Sequence, residues 1–577
     1  MAIIGIDLGT TNSLAAVWRN GRSELIPNAA GEYLTPSVVS IDEDGTVLVG
    51  QAARERLISH PEHTAAYFKR SMGTEKRYHL GQRTFSPEEL SSFVLRRLWE
   101  DAEAWLGEPV TEAVISVPAY FTEVQRAATK RAGALAGLRV ERLINEPSAA
   151  AMAGHLGTGE EDKVCLVFDL GGGTLDVSLV ERFETVVSVT AVSGDNLLGG
   201  RDFDLIIAKG FCQDCHLDYN ALPPQQQALL VRQAEACKMA LTTQEPVLMA
   251  VSTDRISASL LLTNEWLIRK SGTLFRRIFV PIRKVLLDAG LTTGDLDELI
   301  LVGGSSRMPA VRRYISKGLG LSPAREVEPD TAIALGAGIC AGMKARVPGL
   351  RELVLTDVCP FTLGVNVFNH AEPERDLMSP IIERNSVLPS SKERLYATTV
   401  DNQTRIVAKI YQGEERYCED NQWLGQLEIQ VPPAPKGEQT VRTRFTYDIN
   451  GLLEVDLLGK EGQTAHLLLK NDDMSDEELN RRLKELQHLK LPPREQEQNR
   501  NLIARGQRLY TVTVGSLREQ VAGRLDWFQS VLSSQEPLKI AKAVRQINLF
   551  FDQVEAYVGD VELPPDLFDS IDWEEDS

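Results

Sequence analysis

The residues with the clearest potential for chemistry surround a run of glycines in the stretch VCLVFDLGGGTLDVSLV. An apolar segment typical of a buried strand ends near Asp169, and a second, alternating segment includes Asp176. The three glycines between them, 171–173, can turn sharply and bring backbone N–H groups to an anion, because no Cβ stands in the way. Two carboxylates beside a phosphate repel it unless a cation intervenes, so the pattern predicts a phosphate site that uses Mg²⁺. For this stretch alone, an ordinary β-hairpin with a glycine-rich turn is the alternative.

A second copy of the pattern, IIGIDLGTTNSLAAVW, occupies residues 3–18. Here an apolar strand leads to Asp7 and Gly9, Thr10 and Thr11 follow, and a further strand completes the hairpin. Two such hairpins in one chain predict two similar lobes, each of which presents a phosphate-binding turn to a shared cleft.

The whole sequence limits the class of protein. Its 577 residues are too many for one core and predict three or four domains. The formal charge of −19 argues against a nucleic-acid partner. No apolar run is long enough to span a membrane, and the start MAIIGIDLGTT has no basic region typical of a signal peptide. We therefore expect a cytoplasmic protein without a membrane partner.

One cysteine cluster matches the pattern for covalent c-type haem attachment. It consists of Cys212, Cys215 and His216, and Cys237 could complete a zinc site with them. Covalent haem attachment requires export, and the sequence shows no export signal. The cluster is also part of a helical pattern, so we expect it to be a chance match without function.

Several motifs together resemble one family within the superfamily of actin, sugar kinases and heat-shock ATPases. They occur in the order that heat shock protein 70 (Hsp70) chaperones use: GIDLGTTNS at 5–13, VPAYF at 117–121, INEPSAAA at 144–151, FDLGGGTLDV at 168–177 and ILVGGSSRMP at 300–309. The resemblance runs from residue 3 to about residue 470 and weakens after that. The chain is similar to DnaK-like proteins, and its short length and missing segments resemble most the HscC branch.

The resemblance implies a multidomain fold. A two-lobed, actin-like (ribonuclease H-like) α/β ATPase domain is expected at 1–347, an apolar interdomain linker at 348–358, a β-sandwich substrate-binding domain at 359–471 and a helical lid with an acidic tail at 472–577. The residues themselves agree, because the apolar period changes to two between 359 and 470, which predicts a sandwich of about eight short strands. Ser475 and Glu478 form a capping-box pattern at the start of the helical part.

The resemblance also implies the catalytic groups of an ATPase. Lys69 would orient the attacking water, Glu146 would hold a Mg²⁺-bound water and relay the nucleotide state, and Asp7 and Asp169 would hold Mg²⁺ mainly through water. Thr174 would contact the phosphates. Without the resemblance, Lys69 would be taken as a solvated surface charge, and Glu146 as a favourable partner of a helix dipole.

The expected ATP or ADP site includes more residues than these catalytic groups. The residues that the resemblance assigns to it are Gly9, Thr10, Thr11, Asn12, Gly171, Gly172, Gly173, Glu235, Lys238, Thr242, Gly303, Gly304, Ser305, Arg307 and Asp330. Glu235, Lys238 and Thr242 share one helix face by their spacing, and by resemblance this face holds the ribose and the adenine edge. An exposed salt bridge between Glu235 and Lys238 is the alternative. Arg307 would stack on the adenine.

A second group would transmit the nucleotide state. By resemblance, Pro118 and Arg126 relay it to the surface of the ATPase domain. The apolar run Leu353, Val354 and Leu355, followed by Asp357, is unexpected for a simple spacer and predicts a segment that docks as an added strand in one state. Thr356 stands where DnaK has a further leucine, and we expect this exchange to weaken docking.

The peptide groove falls in the sandwich. The residues at its lining positions are Val365, Val367, Phe368, Tyr396, Thr399 and Ile406. Apolar residues in such strands commonly fill the core, which is the alternative for about half of this set. The first loop, residues 370–380, is expected to be longer than in DnaK.

The predicted function is that of an ATP-driven chaperone for unfolded or extended client polypeptides. A J-domain co-chaperone is the expected partner, whereas a GrpE-type exchange factor is doubtful because the arm at 246–263 is short. The rival is a metabolic kinase or a filament-forming ATPase of the same superfamily. Neither of these needs an apolar linker, a β-sandwich and a helical lid.

Overall fold

The first part of the chain forms a mixed sheet that is covered by helices. The structure is a computed structural model that describes residues 2–155, 163–183, 186–253, 256–324, 328–347, 350, 354–449, 451–469 and 493–559. Residues 2–155 are called lobe one, and their elements in chain order are β1 (Ala2–Asp7), β2 (Asn12–Arg19), β3 (Arg22–Ile26), β4 (Thr35–Pro36), β5 (Val38–Ile41), β6 (Val47–Val49), α1 (Gln51–Ser59), β7 (Thr64–Ala66), β8 (Tyr78–Leu80), β9 (Arg83–Phe85), α2 (Pro87–Leu106), β10 (Val110–Val117), α3 (Glu123–Ala136), β11 (Arg139–Asn145) and α4 (Glu146–His155). The main sheet has the order β11-β10-β1-β2-β3, and its apolar side chains share a core with α2 and α3.

Lobe two, residues 163–324, repeats this local plan. Its elements are β12 (Lys163–Leu170), β13 (Leu175–Phe183), β14 (Val186–Asp195), α5 (Gly200–Asp214), α6 (Pro224–Ala240), β15 (Val247–Ser252), β16 (Ser257–Leu262), α7 (Asn264–Lys270), α8 (Gly272–Ala289), β17 (Glu298–Val302) and α9 (Pro309–Leu319). In both lobes the first strand of the hairpin also pairs in parallel with a later strand, β1 with β10 and β12 with β17. The repeated hairpins of the sequence are thus equivalent parts of two sheets.

A helix of small residues, α10 (Ala332–Lys344), follows lobe two and packs against lobe one. Its backbone approaches so closely that a Cβ on Gly5 of β1 would lie 2.1 Å from the carbonyl carbon of Ala337. A Cβ on Gly336 would lie 1.8 Å from the carbonyl oxygen of Ala149 in α4. Since real Cβ contacts of this length do not occur, glycine is required at both positions for α10 to bridge the lobes.

The third part of the chain is built from strands in two sheets. Its elements are β18 (Val354–Val358), β19 (Leu363–Val367), β20 (Leu377–Ile382), β21 (Val387–Leu388), β22 (Ser390–Ala397), β23 (Arg405–Gln412), β24 (Gln422–Gln430), β25 (Thr440–Tyr447), β26 (Leu453–Gly459) and β27 (Thr464–Leu469). Sheets of order β20-β19-β23-β24 and β22-β25-β26-β27 enclose a shared apolar core. The loop expected at 370–380 ends before Leu377, because β20 begins at that residue.

The sheet of lobe two does not end with its own strands. Its order is β17-β12-β13-β14-β18-β21, so β18 pairs in parallel with β14 and antiparallel with β21 of the third part. Val354, Leu355 and Thr356 lie opposite Val186, Val187 and Ser188. Segment 354–358 is therefore a docked strand in this structure.

The last described part consists of α11 (Glu497–Val512), α12 (Gly515–Ser534) and α13 (Pro537–Gly559). These helices have a core of their own, in which Leu509, Phe528 and Phe551 are buried. The capping box predicted at Ser475 and Glu478 lies outside the described residues.

Candidate functional site

Two turns, one from each lobe, border the same cavity of about 410 Å³. The β1–β2 turn follows Asp7, and the β12–β13 turn separates Asp169 from Asp176, which are directly opposite each other in the ladder. A Cβ on Gly172 would lie 1.8 Å from Oγ1 of Thr11, so the turns touch and only glycine allows this approach. The hairpin pattern in the sequence therefore corresponds to one shared cleft.

Most of the residues predicted for the nucleotide site line this cavity. They are Asp7, Gly9, Thr10, Thr11, Asn12, Lys69, Glu146, Asp169, Gly171, Gly172, Thr174, Glu235, Lys238, Thr242, Gly303, Gly304, Ser305, Arg307 and Asp330. Gly173 is not in the lining, because it faces lobe one, where a Cβ would lie 2.6 Å from Cγ2 of Thr10.

Buried carboxylates are concentrated at the phosphate end of the cavity. Burial, reinforced by the nearby Glu146, raises the pKa of Asp7 and that of Asp176 to about 7 each. The pKa of Asp169 is also raised, first by burial and then by Glu146 and Asp176. Such a cluster binds a cation favourably, because a positive charge at its centre offsets both the desolvation and the mutual repulsion.

Lys69 provides the protein's own positive charge in this cluster. Its Nζ donates a hydrogen bond of 2.7 Å to Oε1 of Glu146, and both side chains are almost fully buried. Burial alone would lower the pKa of Lys69, but Glu146, Asp7 and Asp176 raise it above its ordinary value. The lysine is therefore held protonated beside the two glycine-containing turns rather than solvated at the surface.

The donor set fits Mg²⁺. Oxygen ligands from carboxylates are those that Mg²⁺ prefers, and it binds with several of its waters retained. Within the described part of the chain, Oδ2 of Asp176 is buried without a hydrogen-bond partner, whereas Oδ1 accepts from the backbone N–H of Tyr120. Ser116 Oγ donates to Asp7 and fixes that carboxylate from the rear. Asp7, Glu146 and Asp169 line the cavity and offer the carboxylate oxygens that would hold a hydrated cation there.

The opposite end of the cavity carries the residues expected at ribose and adenine. Glu235 and Lys238 are on α6, but they do not pair with each other: Glu235 accepts from Arg54 of lobe one at 3.0 Å, and Lys238 pairs with Asp204 at 2.7 Å. Helix α6 ends at Ala240, so Thr242 lies in the following turn. The exposed salt bridge considered as an alternative is thus not formed.

The glycine turn after β17 forms the wall next to Asp169. Gly303 has φ 79°, and a Cβ there would lie 2.5 Å from Oδ1 of Asp169. Arg307 pairs with Glu328 and, at 2.7 Å, with Asp330. These ion pairs orient the guanidinium plane at the cavity wall, where a base could stack on it.

Other lining residues were not predicted from the sequence. They are Leu14, Leu34, Tyr67, Arg201, Asp204, Met239, Pro329 and Ile333. Met239 and Pro329 directly neighbour a predicted residue in the chain, and that proximity was the available signal. Tyr67 and Arg201 come from different lobes, and no spacing in the sequence links them.

Residues close in the chain to the cavity-lining Glu146 donate hydrogen bonds to the docked strand. Glu146 is preceded by Asn145, whose Oδ1 accepts from Arg126 at 2.6 Å and whose Nδ2 donates to Asp357 at 2.6 Å. Ser148 donates to the same carboxylate of Asp357 at 3.1 Å. Burial raises the pKa of Asp357. The predicted relay residue Arg126 and the predicted linker residue Asp357 therefore share one partner.

The remaining predicted relay residues differ in position. The carbonyl of Pro118 accepts from the N–H of Phe121, in the turn that leads to α3. Leu355 packs on the core between the lobes. Val354 begins β18, whereas Leu353 lies outside the described residues.

The positions predicted for a peptide groove are not equally accessible. Val365 is 2% exposed and belongs to the sandwich core, and Val367, Tyr396 and Ile406 are partly buried. Phe368 is 44% exposed. Among the described aromatic rings, the one that it contacts is His370, in an edge-on arrangement. The backbone N–H of Thr399 donates to Gln403, whose side chain also lies near the threonine hydroxyl.

The side chains of the haem-like cysteine cluster are not arranged as metal ligands. Cys212 and Cys237 are buried in the core of lobe two, and Cys215 is partly buried. Among the described residues, the one group of His, Cys, Asp or Glu side chains with ligand atoms close together is Glu454, Asp456 and His466 on the sandwich surface. Of the helices in the described ranges, none has both the length and the apolar composition needed to cross a bilayer.

Comparison with known families agrees with this architecture. The family model described as "Hsp70 protein" matches residues 3–557, which include both lobes, the docked strand, the sandwich and α11–α13.

Proposed function

Because the chain belongs to the Hsp70 family, whose members are ATP-dependent chaperones, we propose that it hydrolyses ATP in the shared cleft and couples this reaction to binding and release of apolar peptide segments. The observation that carries this proposal is the short path from Glu146 to Asp357: Glu146 follows Asn145 in the chain, and the side chain of Asn145 donates a hydrogen bond to Asp357. It joins a cavity with two phosphate-binding turns to a strand that can be released. The proposal includes membership of the HscC branch and a cytoplasmic location.

The cleft supports hydrolysis without a covalent intermediate. Thr10, Thr11 and Thr174, with the backbone of the 171–173 turn, would hold the phosphates. Asp7 and Asp169 would hold Mg²⁺ mainly through water, and the ion would neutralise charge on the β- and γ-phosphates. Lys69 would orient a water in line with the γ-phosphorus and stabilise the charge that develops there.

The sandwich supports peptide binding by enclosure rather than by one pocket. Burial of one leucine contributes about 1.5–3 kcal/mol, whereas micromolar affinity requires about 8 kcal/mol. Main-chain hydrogen bonds and cover from the helical part must supply the difference. Phe368 and Thr399 would arch over the bound backbone, with Val367, Tyr396 and Ile406 beneath or beside it, whereas the buried Val365 would support the groove from the core.

The proposed partners follow from this cycle. Unfolded clients bind in the sandwich, and a J-domain co-chaperone acts on the docked state. We do not expect a GrpE-type factor to control exchange, since β15 and β16 form an arm of only six residues per strand.

Phosphate release measured with and without an unfolded apolar peptide tests the function. A chaperone is stimulated by the peptide, because peptide binding and linker release are coupled. A metabolic kinase or filament ATPase is indifferent to it. Asp357→Asn is the matched variant, because it replaces a carboxylate that accepts three hydrogen bonds by a group of the same size. We expect peptide stimulation to be lost in this variant while ATP binding remains. Indifference of the unmodified chain would refute the proposal.

A further inference from the structure

Two short segments from opposite lobes meet beside the phosphate turns. Tyr67 to Arg70 in lobe one faces the start of α5 in lobe two. Arg201 stacks on Tyr67, with its guanidinium carbon 3.9 Å from the ring centroid. Three residues later in lobe one, Arg70 pairs with Asp202 at 3.4 Å. The segments therefore make paired contacts across the cleft.

Arg201 is fixed to the phosphate turn by its backbone. Its N–H donates to the carbonyl of Gly172, and the N–H of Gly200 donates to the carbonyl of Gly171, both at 2.9 Å. A Cβ on Gly199 would lie 2.4 Å from the backbone nitrogen of Gly173, so the two backbones are in contact. Displacement of the glycine turn must therefore move the guanidinium group.

Tyr67 is fixed to the segment that carries the buried lysine. It has a left-handed backbone conformation, φ 60°, and directly precedes the single helical turn Phe68–Ser71 that contains Lys69. Non-glycine residues adopt this conformation rarely and at a cost, so surrounding contacts must hold it. The stack on Arg201 is one of these contacts, and it links the position of Lys69 to lobe two.

Two ion pairs also cross the cleft, but in neither pair do both residues line the cavity. Arg54 pairs with Glu235 and Arg232 pairs with Glu55, which joins α1 to α6. Of these four residues only Glu235 lines the cavity, whereas Tyr67 and Arg201 both line it. Both partners of the stack therefore border the space that a ligand in the cavity would occupy.

We propose that the Tyr67–Arg201 stack is a clasp that holds the lobes together over the bound nucleotide and sets the rate of its release. This inference rests on the proposed ATP site. Separation of the lobes must break a partly desolvated cation–π contact, which raises the barrier to nucleotide release. Replacement of either Tyr67 or Arg201 by alanine removes this contribution to the barrier.

Dissociation of a fluorescent ADP analogue from the full chain, chased by excess unlabelled ATP in Mg²⁺, tests the clasp. The variants are Arg201→Ala, Tyr67→Ala and the double variant. Tyr67→Phe keeps the ring, and Arg201→Lys keeps the charge but loses the guanidinium plane. Arg19→Ala is the matched control, because Arg19 stacks on Trp105 within lobe one and does not cross the cleft.

We expect each single alanine variant to release ADP about tenfold faster, which is the size of a desolvated cation–π contact. The double variant should be no faster than the singles, since the second substitution removes nothing further. Tyr67→Phe and Arg19→Ala should behave as the unmodified chain. Arg201→Lys should release ADP faster than the unmodified chain but no faster than Arg201→Ala, because an ammonium group keeps the cation–π attraction and loses the planar stacking. Melting curves without nucleotide separate this effect from loss of fold. We expect Arg201→Ala to have the same melting temperature as the unmodified chain.

Release rates of both single variants within about twofold of the unmodified chain, or effects that multiply in the double variant, would overturn the clasp. Failure of the unmodified chain to retain labelled ADP would instead overturn the ATP site itself.

Discussion

At the scale of single residues, Lys69 is the group whose chemistry depends most on its surroundings. It is buried among Asp7, Glu146 and Asp176, and its own charge is retained because these carboxylates outweigh the cost of burial. A fixed ammonium group at this place can stabilise negative charge on a transferred phosphoryl group without reorganisation. Its bond to Glu146 must be exchanged or shared when phosphate oxygens arrive.

Lys69→Ala should leave ATP binding nearly intact but slow single-turnover hydrolysis by about 10²-fold or more, the typical cost of a lost charge at the transition state. Quenched-flow assays with γ-labelled ATP measure this step. Lys209→Ala, which removes an exposed lysine of α5, serves as the control. Hydrolysis within about threefold of the unmodified chain would show that Lys69 has no catalytic role.

The sequence predicts single residues well where spacing constrains them. The glycine turns at 9–11 and 171–173 need particular residue types in a short window, and the structure brings these turns together. Tyr67 and Arg201 carry no such signature. Their contact depends on how two lobes close, and a left-handed tyrosine cannot be recognised from local composition.

At the scale of elements, β18 is the strand that the proposed cycle would release from β14. The sequence suggested that Thr356, in place of a leucine, weakens docking. In the structure the hydroxyl of Thr356 donates to Oγ of Ser188 at 2.8 Å, and Ser188 is buried. Thr356 therefore satisfies the buried hydroxyl of Ser188. This matters because the free-energy cost of a buried hydroxyl without a partner exceeds the stabilisation from one hydrogen bond.

Thr356→Val should loosen the docked strand, because Ser188 then loses its partner. We expect amide exchange in 354–358 to become about fivefold faster, and the double variant with Ser188→Ala to return close to the original rate. Hydrogen exchange read by mass spectrometry measures both. If Thr356→Val exchanges no faster than the unmodified chain, the hydroxyl pair does not contribute to docking.

At the scale of the whole molecule, the sandwich rests on both lobes. Glu123, at the start of α3, accepts from the hydroxyl of Tyr447, and its N–H donates to Gln412 at 3.2 Å. On lobe two, Arg384 forms two hydrogen bonds to Asp288, at 2.6 and 2.9 Å. The partners in these pairs lie between 96 and 324 residues apart in sequence. Element order could be predicted from the chain, but which faces meet could not, because no local pattern encodes it.

Docking of the sandwich should strengthen as the pH falls. Burial in the interface raises the pKa of Glu123 above 4.5, with opposing contributions from Arg126, Tyr447 and Lys130 and a reinforcing one from Asp448. Release of the sandwich removes this burial and lowers the pKa again, so the docked state binds the proton more tightly. The gain appears as the pH drops through the raised value and is complete below about 4.5.

Energy transfer between a dye on lobe one and a dye on the sandwich measures this docking between pH 8 and pH 5, which spans the range above the ordinary carboxyl pKa. Glu123→Gln should remove most of the pH slope, because the neutral amide does not titrate. A slope that is unchanged in Glu123→Gln would assign the effect to another group.

The docked strand also has a consequence for association between chains. Without β18, strand β14 would be an open sheet edge with unpaired N–H and C=O groups, a surface on which foreign strands assemble. Only the nine residues 345–353 separate the end of α10 from β18. A tether this short keeps the chain's own strand near the edge at an effective concentration of roughly millimolar, well above that of any other copy. Docking of β18 thus also prevents the edge of β14 from pairing with strands of other chains.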